Sequence, residues 1–131
     1  MIYGIGIDLV EISRMEQVMQ RWGARFIHRV FTRKEAAFCS GRAFPASAFA
    51  LRFAAKEAFS KAMGTGMRKG VRWRDIEVTS LPGGKPNLML HGLSRALCRE
   101  VDVSHVHVSL TDEGAYAAAV VVLECAAGRP V

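Results

Sequence analysis

The chain has 131 residues, half of them apolar and 23 % charged, with 18 Lys/Arg against 12 Asp/Glu for a formal net charge of +6. That composition excludes disorder and suits one soluble domain, too short for two independent enzymes. It also excludes a membrane-spanning helix, because the longest apolar run is the nine residues Ala115 to Leu123, about half of the roughly 20 a span needs. The basic surplus favours a polyanionic partner, whether nucleic acid, a phosphorylated cofactor or an acidic protein, though a plain solubility charge accounts for it equally well. The start, Met1-Ile2-Tyr3-Gly4, lacks the basic n-region of a signal peptide, so a cytoplasmic protein is expected. Cys39, Cys98 and Cys125 lie far apart without metal-ligand spacing and read as buried or idle thiols.

In chain order, Ile2 to Val10 alternates as a strand, with Ile5, Ile7 and Leu9 on one face and Gly4, Gly6 and Asp8 on the other. The glycine face leaves room for another backbone or a ligand. Ser13 to Glu16 has the pattern of a capping box, predicting a helix from Arg14 to about Trp22 that stops at Gly23. Thr32 to Glu35 is a second such box, opening a short helix to about Cys39. Gly41 to Pro45 connects to a long alanine-rich helix, Pro45 to Met63, with proline in its first turn and Gly64-Thr65-Gly66 at its end. A strand over Asp75 to Ser80, with Ile76 and Val78 on one face, turns through Leu81 to Pro86 and returns over Asn87 to Leu90. Gly92 to about Val101 reads as a helix whose Leu93, Ala96 and Leu97 face the core. The strands His105 to Thr111 and Tyr116 to Leu123 close the domain. The expectation is an α+β fold, a mainly antiparallel sheet packed with helices, in one domain over residues 1–125 with a tail at 126–131.

On the long helix, Ala50, Ala54, Glu57 and Lys61 form one line, and Leu51, Ala55, Ala58 and Ala62 an adjoining apolar one. From spacing alone, Glu57 and Lys61 make an ordinary i,i+4 surface pair. Asp8 is the second suspect, since aspartate is a poor strand residue, although a local turn or cap explains it as well. Together Asp8 and Glu57 would supply two hard oxygen ligands of the kind Mg²⁺ takes beside substrate phosphates. Arg52, Lys56 and Lys61 lie a turn or less from Glu57 along the helix. Gly64-Thr65-Gly66 follows a helix instead of preceding one, which favours a helix stop over a phosphate cradle. His105, His107, Ser109 and Thr111 form a polar strand face with no third ligand for zinc. Arg14, Gln17, Arg21 and Arg25, followed by Arg29, Arg33 and Lys34, would suit an acidic docking partner.

The stretch Gly4 to Ile12, the block Arg52-Phe53-Ala54-Ala55-Lys56-Glu57-Ala58-Phe59-Ser60-Lys61-Ala62-Met63-Gly64-Thr65-Gly66, the turn Gly84-Lys85-Pro86 and the ending His107-Val108-Ser109-Leu110 resemble, in order, the holo-[acyl-carrier-protein] synthases, the short single-domain class of 4′-phosphopantetheinyl transferases. The resemblance runs from Ile2 to about Glu124 and implies transfer of the 4′-phosphopantetheine arm of coenzyme A onto a serine of apo-acyl carrier protein, releasing adenosine 3′,5′-bisphosphate. It implies that Asp8 and Glu57 hold Mg²⁺ and that Lys61 contacts phosphates, with Arg52 and Gly64-Thr65-Gly66 also cofactor-binding. His107 would reach the nucleotide 3′-phosphate region, and Gly84, Lys85 and Pro86 would shape the adenine side. Arg14, Arg21 and Arg25 would dock the acidic carrier, and three copies would form a homotrimer with the site between subunits. Glu57 or a metal-bound water is the candidate base for the serine. Thr111-Asp112-Glu113 stands where many relatives carry a histidine. Two rival readings are a small basic nucleic-acid-binding module and a non-catalytic carrier-binding subunit; the resemblance favours neither, and no nucleic-acid or membrane partner is expected.

Overall fold

The computed structural model describes residues 1–68 and 70–126. Strand β1 (Ile2–Glu11) leads directly into helix α1 (Ile12–Trp22), followed by α2 (Ala24–Val30), α3 (Arg33–Ser40) and α4 (Pro45–Met63). A 3₁₀ turn (Trp73–Asp75) precedes β2 (Ile76–Ser80) and β3 (Pro86–Leu90), then α5 (Gly92–Glu100), β4 (Val103–Glu113) and β5 (Tyr116–Cys125). All pairing is antiparallel: a sheet of order β1-β5-β4 and a separate β2-β3 hairpin. The α+β expectation stands. Of the anticipated tail, Ala126 is described and 127–131 lie outside the described residues. Among the described residues no helix is long and apolar enough to cross a membrane.

Helix α4 is the hub. It is buried on most sides, which is why its sequence reads as apolar nearly all round. Its first half packs with α1–α3 around Phe31 and Phe49, and its second half with β2, β3, β5 and α5 around Phe59, Ile76 and Leu123. The sequence bounds of α4 hold: Pro45 sits in its first turn, and Gly64 ends it in the left-handed region at φ 80°.

The glycine face of β1 lies directly on α4. A Cβ at Gly4 would collide with the Ala62 carbonyl, and one at Gly6 with the Ala58 carbonyl. Two strand residues rise about 6.6 Å and four helix residues about 6 Å, so a G-x-G pairs naturally with an A-x-x-x-A running the other way. One step further along this seam stands Asp8. The opposite face of β1 leaves Ile5, Ile7 and Leu9 exposed, at 60–66 %.

Three local expectations are corrected. The Ser13–Glu16 box does not form. Helix α1 starts at Ile12, whose amide donates to the Ala115 carbonyl at 2.8 Å, and the Ser13 hydroxyl donates to Glu11 instead. The Thr32–Glu35 box does form, with both reciprocal bonds present. In α5, Leu93 and Ala96 face solvent while Ser94 and Cys98 are buried. The reason is that the Ser94 hydroxyl donates to the carbonyls of Asp75 and His91 and so fixes the helix rotation. Helix α2, which sequence periodicity did not predict, resumes after Gly23 breaks the line.

Candidate active site

A cavity of about 410 Å³ opens where β1, α1 and α4 meet, lined by Asp8, Arg14, Phe26, Phe53, Glu57 and Lys61 among others. Asp8 reaches it because the Gly4–Gly6 seam holds β1 against α4. Lys61 does not pair with Glu57 as the i,i+4 spacing predicts. Its ammonium donates instead to Asp8 Oδ1 at 3.0 Å and to the Ile7 carbonyl at 3.0 Å. The Lys61 side chain stays half exposed and that of Asp8 is mostly covered.

Burial, and next the neighbouring Asp8 carboxylate, raise the Glu57 carboxyl above its usual range, against Lys61, which lowers it. Among the described residues the half-buried Glu57 carboxylate accepts no hydrogen bond from the protein. Two carboxylates within electrostatic reach, one of them without a donor, suit a hard divalent cation that keeps water and substrate oxygens as its other ligands. Glu11 also lines the cavity, but it accepts from the Ser13 hydroxyl, and no three Asp, Glu, His or Cys among the described residues are grouped as a closed metal site would need.

The other residues singled out from the sequence fall elsewhere. Lys56, adjacent to Glu57 in the chain, points into the core and donates to Glu35 Oε1 at 2.8 Å and to the carbonyls of Trp73 and Ile76. Burial holds its ammonium below the usual lysine range, against Glu35, which raises it. Glu35 is also fully buried, and it accepts in addition the amides of Thr32 and Val78. Lys56 is therefore a structural cation and no part of the cavity. Arg52 lies on another side of α4, donates to the Ala48 carbonyl and stands over the Phe38 ring. It lines a second cleft, about 400 Å³, with Gly84, Pro86, Leu110 and Asp112. Arg52 and the Gly84-Lys85-Pro86 turn thus come together, but away from Asp8 and Glu57 of the same chain.

Gly64-Thr65-Gly66 behaves as a helix stop. The Gly64 amide donates to the Lys61 carbonyl, and those of Thr65 and Gly66 to the Ser60 carbonyl. In this arrangement those amides are spent on the helix end. His107 sits on the exposed face of β4, where its Nε2 lies 2.9 Å from Glu124 Oε1, and pairs in register with Val122. Arg14 lines the Asp8 cavity, Arg21 is exposed on α1, and Arg25 stands beyond the Gly23 break on α2. Sequence reasoning missed the stacked pair Phe53–Trp73 at the cavity wall, centroids 4.9 Å apart. The two are distant in sequence and carry no shared pattern.

Comparisons agree with this architecture. The model of the 4′-phosphopantetheinyl transferase superfamily matches residues 4–121. The chain is 47 % identical over 124 residues to the holo-[acyl-carrier-protein] synthase of Geobacter sulfurreducens, covering 95 % of this chain and 98 % of that one. It superposes on the crystal structure of holo-[acyl-carrier-protein] synthase from Neisseria meningitidis with TM-score 0.89 at 37 % identity, covering 95 % and 99 % of the two chains. On the Helicobacter pylori holo-[acyl-carrier-protein] synthase in complex with coenzyme A the TM-score is 0.82 at 31 % identity, with 92 % and 99 % covered. The chain belongs to the 4′-phosphopantetheinyl transferase superfamily and, within it, to the family of holo-[acyl-carrier-protein] synthases.

Proposed function

We propose that the chain transfers the 4′-phosphopantetheine group of coenzyme A to a serine of an acidic apo-acyl carrier protein, with Mg²⁺ as cofactor and adenosine 3′,5′-bisphosphate as the second product. The observation that carries this reading is the convergence of Asp8 and Glu57, 49 positions apart in the chain, on one cavity with Lys61 at its edge. The coenzyme A bound to the Helicobacter pylori relative supports the donor.

Asp8 and Glu57 are the residues that would hold the cation. When bound, Mg²⁺ supplies neutralisation of the pyrophosphate and of the charge that develops as the phosphoryl group moves. Lys61, already beside Asp8, adds a positive contact to the leaving phosphate. Glu57, which lines the cavity and accepts no hydrogen bond from the described residues, or a water held by the cation, takes the serine proton. Arg14 at the cavity rim, with Arg21 and Arg25 beyond it, faces the acidic carrier.

The second cleft supports a trimer with sites between subunits. Arg52, Gly84 and Pro86 sit on another side of α4 from Glu57. One coenzyme A meets both sets only if a neighbouring copy presents its own Arg52 cleft to this chain's Asp8 cavity. The exposed Ile5, Ile7 and Leu9, flanked across the sheet by Val120 and Val122, offer the apolar face such an assembly needs, with His107 at its polar edge. We place the reaction in the cytoplasm, without a nucleic-acid or membrane partner. The test is to incubate the protein with apo-carrier, coenzyme A and Mg²⁺, with and without chelator, and to weigh the carrier. The expected result is a gain of one phosphopantetheine arm that the chelator abolishes; a carrier of unchanged mass contradicts the proposal.

A further inference from the structure

A cleft of about 590 Å³ lies apart from the cavity of about 410 Å³ that holds Asp8 and Glu57. It lies behind the Phe53–Trp73 stack: Phe53 lines the Asp8 cavity, Trp73 lines the larger cleft, and the two rings lie within 20° of parallel. The pair forms a wall two rings thick between them.

The larger cleft carries Arg29 from α2 and Arg72 and Arg74 from the segment leading into β2. All three are exposed, and among the described residues none makes an ion pair. Asp75 is the one carboxylate among the described lining residues. Arg74 also lines an adjoining cleft with Arg33. Four guanidiniums therefore face solvent around one acid, where an ordinary solvated surface mixes the two signs.

The form of this surplus favours a protein segment over a small anion. A phosphate site gathers buried, converging donors around one point. Here the arginines are exposed and spread over two joined clefts, as a steering and docking surface is. The strip is also continuous with the arginines facing the carrier, because α2 bears Arg25 and Arg29 one turn apart.

We propose that the Arg29–Arg72–Arg74 cleft is a second docking ground for the acidic acyl carrier protein. It would hold an acidic segment of the carrier other than the one met by Arg14, Arg21 and Arg25, while the serine enters the Asp8 cavity on the near side of the Phe53–Trp73 wall. This rests on the transfer reading above. The cleft sets the affinity for the carrier and leaves coenzyme A binding and the chemistry untouched.

Two variants test it, Arg72→Gln/Arg74→Gln and the charge reversal Arg72→Glu/Arg74→Glu, each checked for an unchanged melting temperature. Calorimetric titration of apo-carrier scores docking whether or not transfer occurs, and steady-state kinetics scores KM separately for carrier and coenzyme A. At low salt, carrier Kd and KM should rise about fivefold in the neutral variant and more than about tenfold in the reversal, with kcat and the KM for coenzyme A within about twofold of the unaltered protein. The difference should close near 0.5 M salt, where the screening length falls to a few ångströms. Should the reversal misfold, the neutral variant decides alone. Carrier affinity unchanged at low salt in a folded variant overturns the proposal, as does a rise confined to coenzyme A or a loss confined to RNA binding. Failure of the transfer reading is distinct: the unaltered protein would then leave the carrier's mass unchanged.

Discussion

Helix α4 carries two lysines five residues apart that meet opposite fates. Lys56 is fully buried, and its ammonium is spent on Glu35 and two backbone carbonyls. Glu35 in turn takes Lys56 and two amides. Lys61 is half exposed, bonded to an Asp8 that retains acceptor capacity, next to a Glu57 that receives no donor from the described residues. Both clusters pair lysine with carboxylate. The first has its ammonium fully spent and its carboxylate sealed from solvent, so it fixes how α3, α4 and β2 meet. The second has capacity to spare and keeps it open to solvent, which is what binding a cation and a phosphate requires. Unspent hydrogen-bonding capacity in a cavity, more than charge or burial, separates the candidate site from the structural cluster.

The contrast breaks in different ways at different residues. The largest expected effect is on activity at Glu57. Glu57→Gln should cost about 10²–10⁴-fold in transfer rate while the melting temperature holds or rises slightly, because the repulsion from Asp8 is removed. Parallel turnover and thermal-melting assays check both halves. Its neighbour should behave in the reverse manner. Lys56→Met leaves Glu35 buried without its cation and should cost about 3–5 kcal/mol of stability, read by denaturant unfolding, with residual activity per folded molecule largely kept.

Gly6 sharpens the comparison, since it belongs to neither cluster yet sets the approach of one. Gly6→Ala drives a methyl group into the Ala58 carbonyl and should cost about 1–3 kcal/mol. It should also raise the Mg²⁺ concentration needed for half-maximal transfer, since Asp8 moves off α4. The smallest effect concerns the rim of the buried network. Burial raises the Glu77 carboxyl, but hydrogen bonds from the Thr32 hydroxyl and from His91, together with the His91 charge, outweigh it and hold the group below its ordinary value of 4.5. A depressed carboxyl contributes stability that is present above about pH 4.5 and is lost as the pH falls below that value. Urea unfolding of Glu77→Gln should therefore lose about 1 kcal/mol near pH 7 and match the unaltered protein more closely toward pH 3.

Much of the frame was legible because local chemistry decided it. Pro45 and Gly64 bracket α4, Thr32 and Glu35 cap α3, and the alternation of β1 marks its faces. Where a distant group decides, local reading failed. The Ala115 carbonyl starts α1 one residue ahead of Ser13, and the Asp75 carbonyl turns α5 so that Ser94 points inward. The site was half legible. Asp8 and Glu57 were named, and the strand glycines hinted at a close backbone, but no local pattern states that Gly6 meets Ala58. Spacing put Arg52 and Lys56 beside Glu57, whereas Lys56 turns to Glu35, 21 residues away, and Arg52 to another side of the helix. Helical proximity gives distance along the axis; the partners packed around it choose the direction.

The central claim is that Asp8 and Glu57 share one divalent cation. The direct measurement is calorimetric titration of Mg²⁺ into the protein saturated with coenzyme A, alongside Asp8→Asn and Glu57→Gln. Binding of one ion per chain, weakened at least about tenfold by each substitution as loss of a charged ligand demands, is the result expected. Mg²⁺ affinity left unchanged by both substitutions would contradict it.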